Sequence, residues 1–228
     1  MRSIEEITKK FGSNLSSNIK LSKFSWFNLG GPAEYLFKPQ DKKQLFEFLK
    51  ENKKNKFKIT ILGAGSNTLI RDKGIKGVVI KLGSSFSKLN LIDENIIEAG
   101  AATLDRKISN FAKENGIGNL EFLSCIPGSI GGAIIMNSGC YGNDISKVLV
   151  SINVIDMLDC KERELKREEI NFFYRGTNLP NNILITSVKL KGIKTSKVIV
   201  EKKQNELLQK KKLSQPTQVK TCGSTFKN

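Results

Sequence analysis

The sequence contains no histidine. Histidine is the commonest zinc ligand and the usual base of Ser-His and Cys-His sites, so those chemistries are excluded. Cysteine is sparse as well. Cys125, Cys140, Cys160 and Cys222 lie far apart with no CxxC pair, so no thiolate metal site is suggested. Free thiols in a reducing compartment are the expectation. A long apolar run is also missing. The most apolar stretch, 126–136, holds three glycines and a proline and falls short of the roughly 20 residues of a membrane span. Glu5 and Glu6 stand where a signal peptide needs apolar residues. The expected protein is cytoplasmic, with no membrane partner.

What is present suits a folded globular protein. Of 228 residues, 39% are apolar and 26% charged, enough for one domain or two small ones. Lys plus Arg number 38 against 22 acidic residues, a net charge of +16. The basic residues are scattered and nearly all Lys. The densest runs, Lys53-Lys54-Asn55-Lys56-Phe57-Lys58 and Lys210-Lys211-Lys212, do not have the aromatic interleaving that stacks bases. No nucleic-acid partner is therefore expected, although a basic nucleic-acid-binding protein stands as an alternative. The cationic field favours an anionic substrate or cofactor.

Patterning predicts a mixed α+β chain. Ser3 to Glu6 reads as a capping box, with Ile4, Ile7 and Phe11 on one helical face and Gly12 as the stop. Asp41 caps a helix over 41–52, and 103–115 and 196–212 are two more, the last burying Val200, Leu207 and Leu208. Strands are predicted at 57–62, 78–82, 95–99, 147–157, 183–190 and 220–226. The segment 14–27 reads as irregular. After Gly192 only one helix and one short strand remain. They either pack on the preceding body or begin an unfinished domain.

Four segments carry the chemistry. Leu62-Gly63-Ala64-Gly65-Ser66-Asn67 follows a strand, and its glycines allow successive N–H groups to form an anion nest. It is neither a dinucleotide fingerprint, since Thr68 holds the third glycine position, nor a P-loop. Ile126-Pro127-Gly128-Ser129-Ile130-Gly131-Gly132 can open a short helix whose free N–H groups a pyrophosphate could approach. Either turn alone could be plain packing; together they suggest a dinucleotide held between two lobes. Phe172-Phe173-Tyr174-Arg175 presents one Arg after three aromatics. Gly223-Ser224-Thr225-Phe226-Lys227-Asn228 presents Ser224, a proton donor where no histidine can make it a nucleophile.

These segments, in this order, resemble the UDP-N-acetylenolpyruvoylglucosamine reductases. Further matching stretches are Phe27-Asn28-Leu29-Gly30-Gly31-Pro32-Ala33-Glu34-Tyr35, Leu120-Glu121-Phe122, Met136-Asn137-Ser138-Gly139, Tyr141-Gly142 and Gln215-Pro216. The resemblance implies an FAD-binding fold of the vanillyl-alcohol-oxidase type. Its two subdomains are expected at 1–82 and 83–192, with the start of a substrate-binding domain at 193–228. It implies NADPH as co-substrate, a UDP-sugar substrate, a monomer and a role in peptidoglycan synthesis. Leu62, Gly63, Ala64, Gly65, Ser66, Asn67, Pro127, Gly128, Ser129, Gly132 and Asn137 would bind FAD. Arg175 and Ser224 would be catalytic, and Tyr174, Lys212 and Asn228 would meet substrate. Members of the family continue past the Ser224 motif to a catalytic Glu, so the substrate domain is expected to be incomplete. Another FAD oxidoreductase of the same fold is the enzymatic alternative.

Overall fold

The computed structural model describes residues 4–215. It places two sheets side by side. The first contains strands β1 (Leu15–Lys20), β2 (Pro32–Phe37), β3 (Ile59–Ile61) and β4 (Ile75–Ile80). Its order is β1-β2-β4-β3, with β1 antiparallel to β2 and the other pairs parallel. The second contains β5 (Leu89–Asp93), β6 (Ile96–Gly100), β7 (Leu149–Asp156), β8 (Lys161–Lys166) and β9 (Ile183–Lys191). Its order is β8-β7-β9-β6-β5 and every pairing is antiparallel.

Helices α1 (Ile4–Phe11) and α2 (Lys42–Asn55) cover the first sheet. Asp41 Oδ1 accepts the Gln44 N–H at 2.8 Å, which satisfies one of the unpaired donors at the start of α2. Lys56 closes the helix in the left-handed region. The buried face of α2 brings Phe48 against Phe37, their ring centroids 4.2 Å apart, with Phe11 edge-on to both. Ile155 and Leu184 of the second sheet enter this same core, so the sheets share packing.

The second core is larger. Helix α3 (Asp105–Glu114) buries Ile108 and Ala112 against Ile97, Ile152, Val188 and Leu190. The last helix, α5 (Lys197–Ser214), docks on α3. Val200 and Gln204 are buried, and Gln204 Nε2 donates to Ser109 Oγ at 3.2 Å and to Asn110 Oδ1 at 2.9 Å. Lys197–Glu114 and Lys113–Glu201 pairs flank the contact. This helix therefore packs on the preceding body.

Two expectations need correction. The segment 14–27 is not irregular: it forms β1 and a 3-10 turn at Leu21–Phe24. Leu207 and Leu208 are only half-buried, because Gln204 takes the inner position between them and Val200. The predicted strand at 220–226 lies outside the described residues.

Candidate active site

Strand β3 runs into buried Leu62, whose N–H donates to Ile80 O at 2.9 Å. The chain then leaves the sheet through Gly63 to Asn67. Gly65 takes φ +72°, and Trp26 N–H donates to its carbonyl at 3.0 Å. Among the described residues, no acceptor takes the backbone N–H groups of Gly63, Ala64, Gly65, Ser66 or Asn67. A run of free donors around a left-handed glycine is an anion nest.

The second turn lies against the first. A Cβ on Gly63 would stand 2.7 Å from Ser129 Oγ, and one on Gly128 would stand 3.7 Å from Ser66 Oγ. The Gly128 and Ser129 N–H groups also lack acceptors among the described residues. Helix α4 (Ile130–Ile135) follows, and here the expectation is corrected. Its first two N–H groups are not free: Ile130 donates to Thr103 O and Gly131 to Ala101 O, each at 2.9 Å. Those bonds tie α4 to the end of β6. The free donors are therefore those of the turns together with the Gly132 N–H, the third of α4, which has no acceptor among the described residues. An FAD diphosphate needs many neutral donors and no side chains between them. The glycine cradle supplies both, so the residues present fit the group.

Lys81 supports the first turn from behind. Its Nζ donates to Gly63 O at 2.5 Å. Burial pushes this ammonium below its usual range, and the charge of Lys38 adds to the effect. Lys211 does the same for the second turn, donating to Cys125 O at 2.6 Å. Lys212, the neighbour named from the sequence, is exposed.

Beneath Gly128 sits Asp105, fully buried, with neither carboxylate oxygen partnered among the described residues. A Cβ on Gly128 would lie 2.8 Å from its Oδ2. Burial without compensation raises the carboxyl well above its usual range. The unfolded chain releases this proton near pH 4 and the folded chain keeps it. Asp105 thus favours folding below that pH, and the contribution is lost as pH rises through the folded value. Asp105→Asn removes the ionisation. Urea unfolding from pH 4 to 8 should show wild type losing stability relative to the variant as pH rises. Parallel curves would show that Asp105 is already solvated or paired.

The third element of the site is a loop. Phe172–Phe173 and Gly176–Thr177 pair as a short antiparallel ribbon, with Tyr174 and Arg175 at its tip. Asn137, Tyr141 and Arg175 all have positive φ, at +40°, +54° and +58°. Such conformations cost about 1–2 kcal/mol each for residues with a Cβ, and here the surroundings enforce them. Asn137 Nδ2 donates to Phe173 O at 3.2 Å while its Oδ1 accepts Ser146 N–H at 3.1 Å. Arg175 Nη2 donates to Gly139 O at 3.1 Å, and the guanidinium lies 5.0 Å from the Tyr174 ring centroid. Together Asn137, Asp144, Ser146, Phe172, Phe173, Tyr174 and Arg175 line a cavity of about 350 Å³.

The structure therefore brings together the two glycine turns, and separately joins Asn137, Tyr174 and Arg175 around one cavity. Asn137 is a wall of that cavity, its amide holding Phe173 and Ser146. Ser224 and Asn228 lie outside the described residues. Sequence reading passed over Lys81, Lys211, Asp105, Asp144 and Ser146. Only Asp105 carried a signal, as an acidic residue in the first turn of a predicted helix.

Comparisons with known proteins bear on the family and the fold. The FAD binding domain family matches residues 33–163. The UDP-N-acetylenolpyruvoylglucosamine reductase of Pelagibacter ubique (strain HTCC1062) is 46% identical over 230 residues, which cover 99% of this chain and 75% of that protein. The enzyme of the same name from Rickettsia canadensis (strain McKiel) is 42% identical, covering 91% and 69%. The crystal structure of UDP-N-acetylenolpyruvylglucosamine reductase from Thermus caldophilus superposes with a TM-score of 0.82 at 29% identity, covering 93% and 74%. An alkyldihydroxyacetonephosphate synthase at 13% identity and TM-score 0.57 shares the fold alone. The fold is the FAD-binding fold of the vanillyl-alcohol-oxidase type, and this chain belongs to the UDP-N-acetylenolpyruvoylglucosamine reductase family.

Proposed function

We propose that the chain uses FAD and NADPH to reduce the enolpyruvyl group of UDP-N-acetylglucosamine enolpyruvate, giving UDP-N-acetylmuramate for peptidoglycan synthesis. The observation that carries this reading is the pair of facing turns with free N–H groups, at Gly63–Asn67 and Gly128–Ser129, in a chain 46% identical to a reductase of that name. Bound FAD supplies the hydride chemistry. The chain supplies position and charge. Backbone donors of the two turns hold the diphosphate. Arg175 offers a fixed cation and paired donors to the enol and carboxylate oxygens, where negative charge grows once hydride has been added. Ser224 gives a proton to the enolic carbon. Tyr174, Lys212 and Asn228 meet the substrate. In this reading residues 1–82 and 83–192 are the two FAD-binding subdomains, and 193–228 contribute to the substrate side.

The test is spectroscopic. Purified protein should show flavin absorbance that bleaches with NADPH under argon and returns on adding the UDP-enolpyruvyl sugar. Ser224→Ala should keep the bleaching step and slow the return by about 10²-fold. Return of colour with air alone, and indifference to the UDP sugar, would favour a flavin oxidase of the same fold. A folded chain without flavin would refute both.

A further inference from the structure

Cys125 and Cys140 have no part in the proposed reaction, yet the fold brings them together. Cys125 ends the 3-10 turn Glu121–Cys125, directly before the Ile126–Ser129 turn. Cys140 lies in the two-residue strand Gly139–Cys140, beside the carbonyl that anchors Arg175. These two elements pack on each other. Cys140 Sγ lies 3.5 Å from Phe122 O, on the same 3-10 turn that carries Cys125. Ser124 Oγ lies 3.7 Å from Cys125 Sγ. Both cysteines are reduced, Cys125 buried and Cys140 partly exposed.

We propose that Cys125 and Cys140 form a redox-active dithiol that a peroxide oxidises to a disulfide, linking the cofactor turn to the Arg175 anchor. The surroundings divide the labour between the two sulfurs. Hydrogen bonds from Cys140 and Ser124, with the Lys211 ammonium nearby, push the Cys125 thiol down to about 6. Cys140 moves the other way, because its proton is shared with Cys125 and burial opposes a second charge; Lys211 and Arg175 only partly offset this. Near pH 7 Cys125 is thus the thiolate nucleophile and Cys140 keeps its proton. The chemistry balances in two steps. The Cys125 thiolate attacks a peroxide oxygen, an S–O bond forms, the O–O bond breaks, and the departing hydroxide takes a proton to leave as water. Cys140 then attacks the sulfenic sulfur, an S–S bond forms, the S–O bond breaks, and a second water leaves with the Cys140 proton. The peroxide is reduced by two electrons and the dithiol is oxidised by two.

The remaining cysteines provide a contrast. Burial raises the Cys160 thiol, and no second thiol is near it among the described residues. Cys222 lies outside them.

The experiment uses the full chain carrying Cys160→Ser and Cys222→Ser, treated with hydrogen peroxide at pH 7 and digested with trypsin without reductant. Both remaining cysteines fall in one tryptic peptide, 114–147, because no Lys or Arg lies between Lys113 and Lys147. The expected product is that peptide lighter by two hydrogens, unreactive to iodoacetamide until reduced. A further Cys140→Ser change should stop oxidation at the sulfenic acid, trapped on Cys125 by dimedone. Peroxide that leaves both thiols alkylatable, or that carries Cys125 to the sulfinic acid without the loss of two hydrogens, would overturn the proposal. A circular-dichroism spectrum matching wild type establishes that each variant is folded.

Discussion

Arg175→Ala is expected to slow transfer of reducing equivalents to the UDP-enolpyruvyl sugar by about 10²–10³-fold, with FAD still bound. The reasoning starts from how little the fold uses this side chain. The guanidinium is exposed, has no carboxylate partner among the described residues, and makes one hydrogen bond, to Gly139 O. Its backbone is nevertheless held at φ +58° at the tip of a two-strand ribbon, a conformational cost set against only the Gly139 bond and a stack on the Tyr174 ring. The cost is intelligible if the loop exists to present a cation to the cavity. Alanine keeps the same backbone strain, so stability should change little. Arg175→Lys keeps the charge and loses the planar fork, and should recover only part of the rate. Stopped-flow absorbance separates the two half-reactions. Bleaching by NADPH should be near wild type in both variants, and reoxidation by the UDP sugar should be slow. An unchanged reoxidation rate in Arg175→Ala would remove this residue from the chemistry.

The parts of the fold legible in the sequence are those decided locally. Asp41 announces α2 because its side chain caps the helix it precedes. Periodicity announces α3, since Ile108 and Ala112 recur on one face over a core. Strand β1 was missed for the opposite reason. Leu15-Ser16-Ser17-Asn18-Ile19-Lys20 has one buried apolar residue, and Asn18 has φ +51°. It is a strand because β2 offers it an edge, with Leu15 opposite Phe37 and Ile19 opposite Ala33. Strand β8, Lys161–Lys166, is polar but for half-buried Leu165 because it is a solvated edge paired only to β7. Pairing of that kind is a tertiary property and leaves no pattern in the strand itself.

The same division holds at the site. The two glycine turns could be found because glycine marks where backbone must be exposed or approached. Which donors remain free could not. Ile130 and Gly131 lose theirs to carbonyls of Thr103 and Ala101, about thirty residues earlier in the chain. Lys81 and Lys211 are two among many lysines until the fold sets them on Gly63 O and Cys125 O. The formal charge of +16 predicted an anionic ligand in general, and only the fold says which lysines brace the cradle.

Gly65→Ala is the second change with a large expected effect, and Gly12→Ala is its control. Both glycines have positive φ, +72° and +53°. Strain alone would therefore cost each alanine variant about 1 kcal/mol. The surroundings differ. A Cβ on Gly12 meets nothing within 4 Å, whereas one on Gly65 overlaps the Phe24 carbonyl oxygen and crowds Ser25 Cα. These are backbone atoms and cannot rotate away. The turn must shift, which endangers the Trp26 N–H bond to Gly65 O, worth about 0.5–1.5 kcal/mol, and spreads the N–H groups that face the diphosphate. Gly65→Ala should cost about 3 kcal/mol in urea unfolding, from strain, overpacking and the lost bond together. Its FAD dissociation constant should rise by about 100-fold, equivalent to about 2.8 kcal/mol of lost contacts. Gly12→Ala should lose about 1 kcal/mol of stability and bind FAD as wild type does. Flavin fluorescence titration of the apoprotein measures the affinities. Tight FAD binding by a folded Gly65→Ala protein would mean that the diphosphate does not rest on this turn, because no side chain there can leave its donors in place.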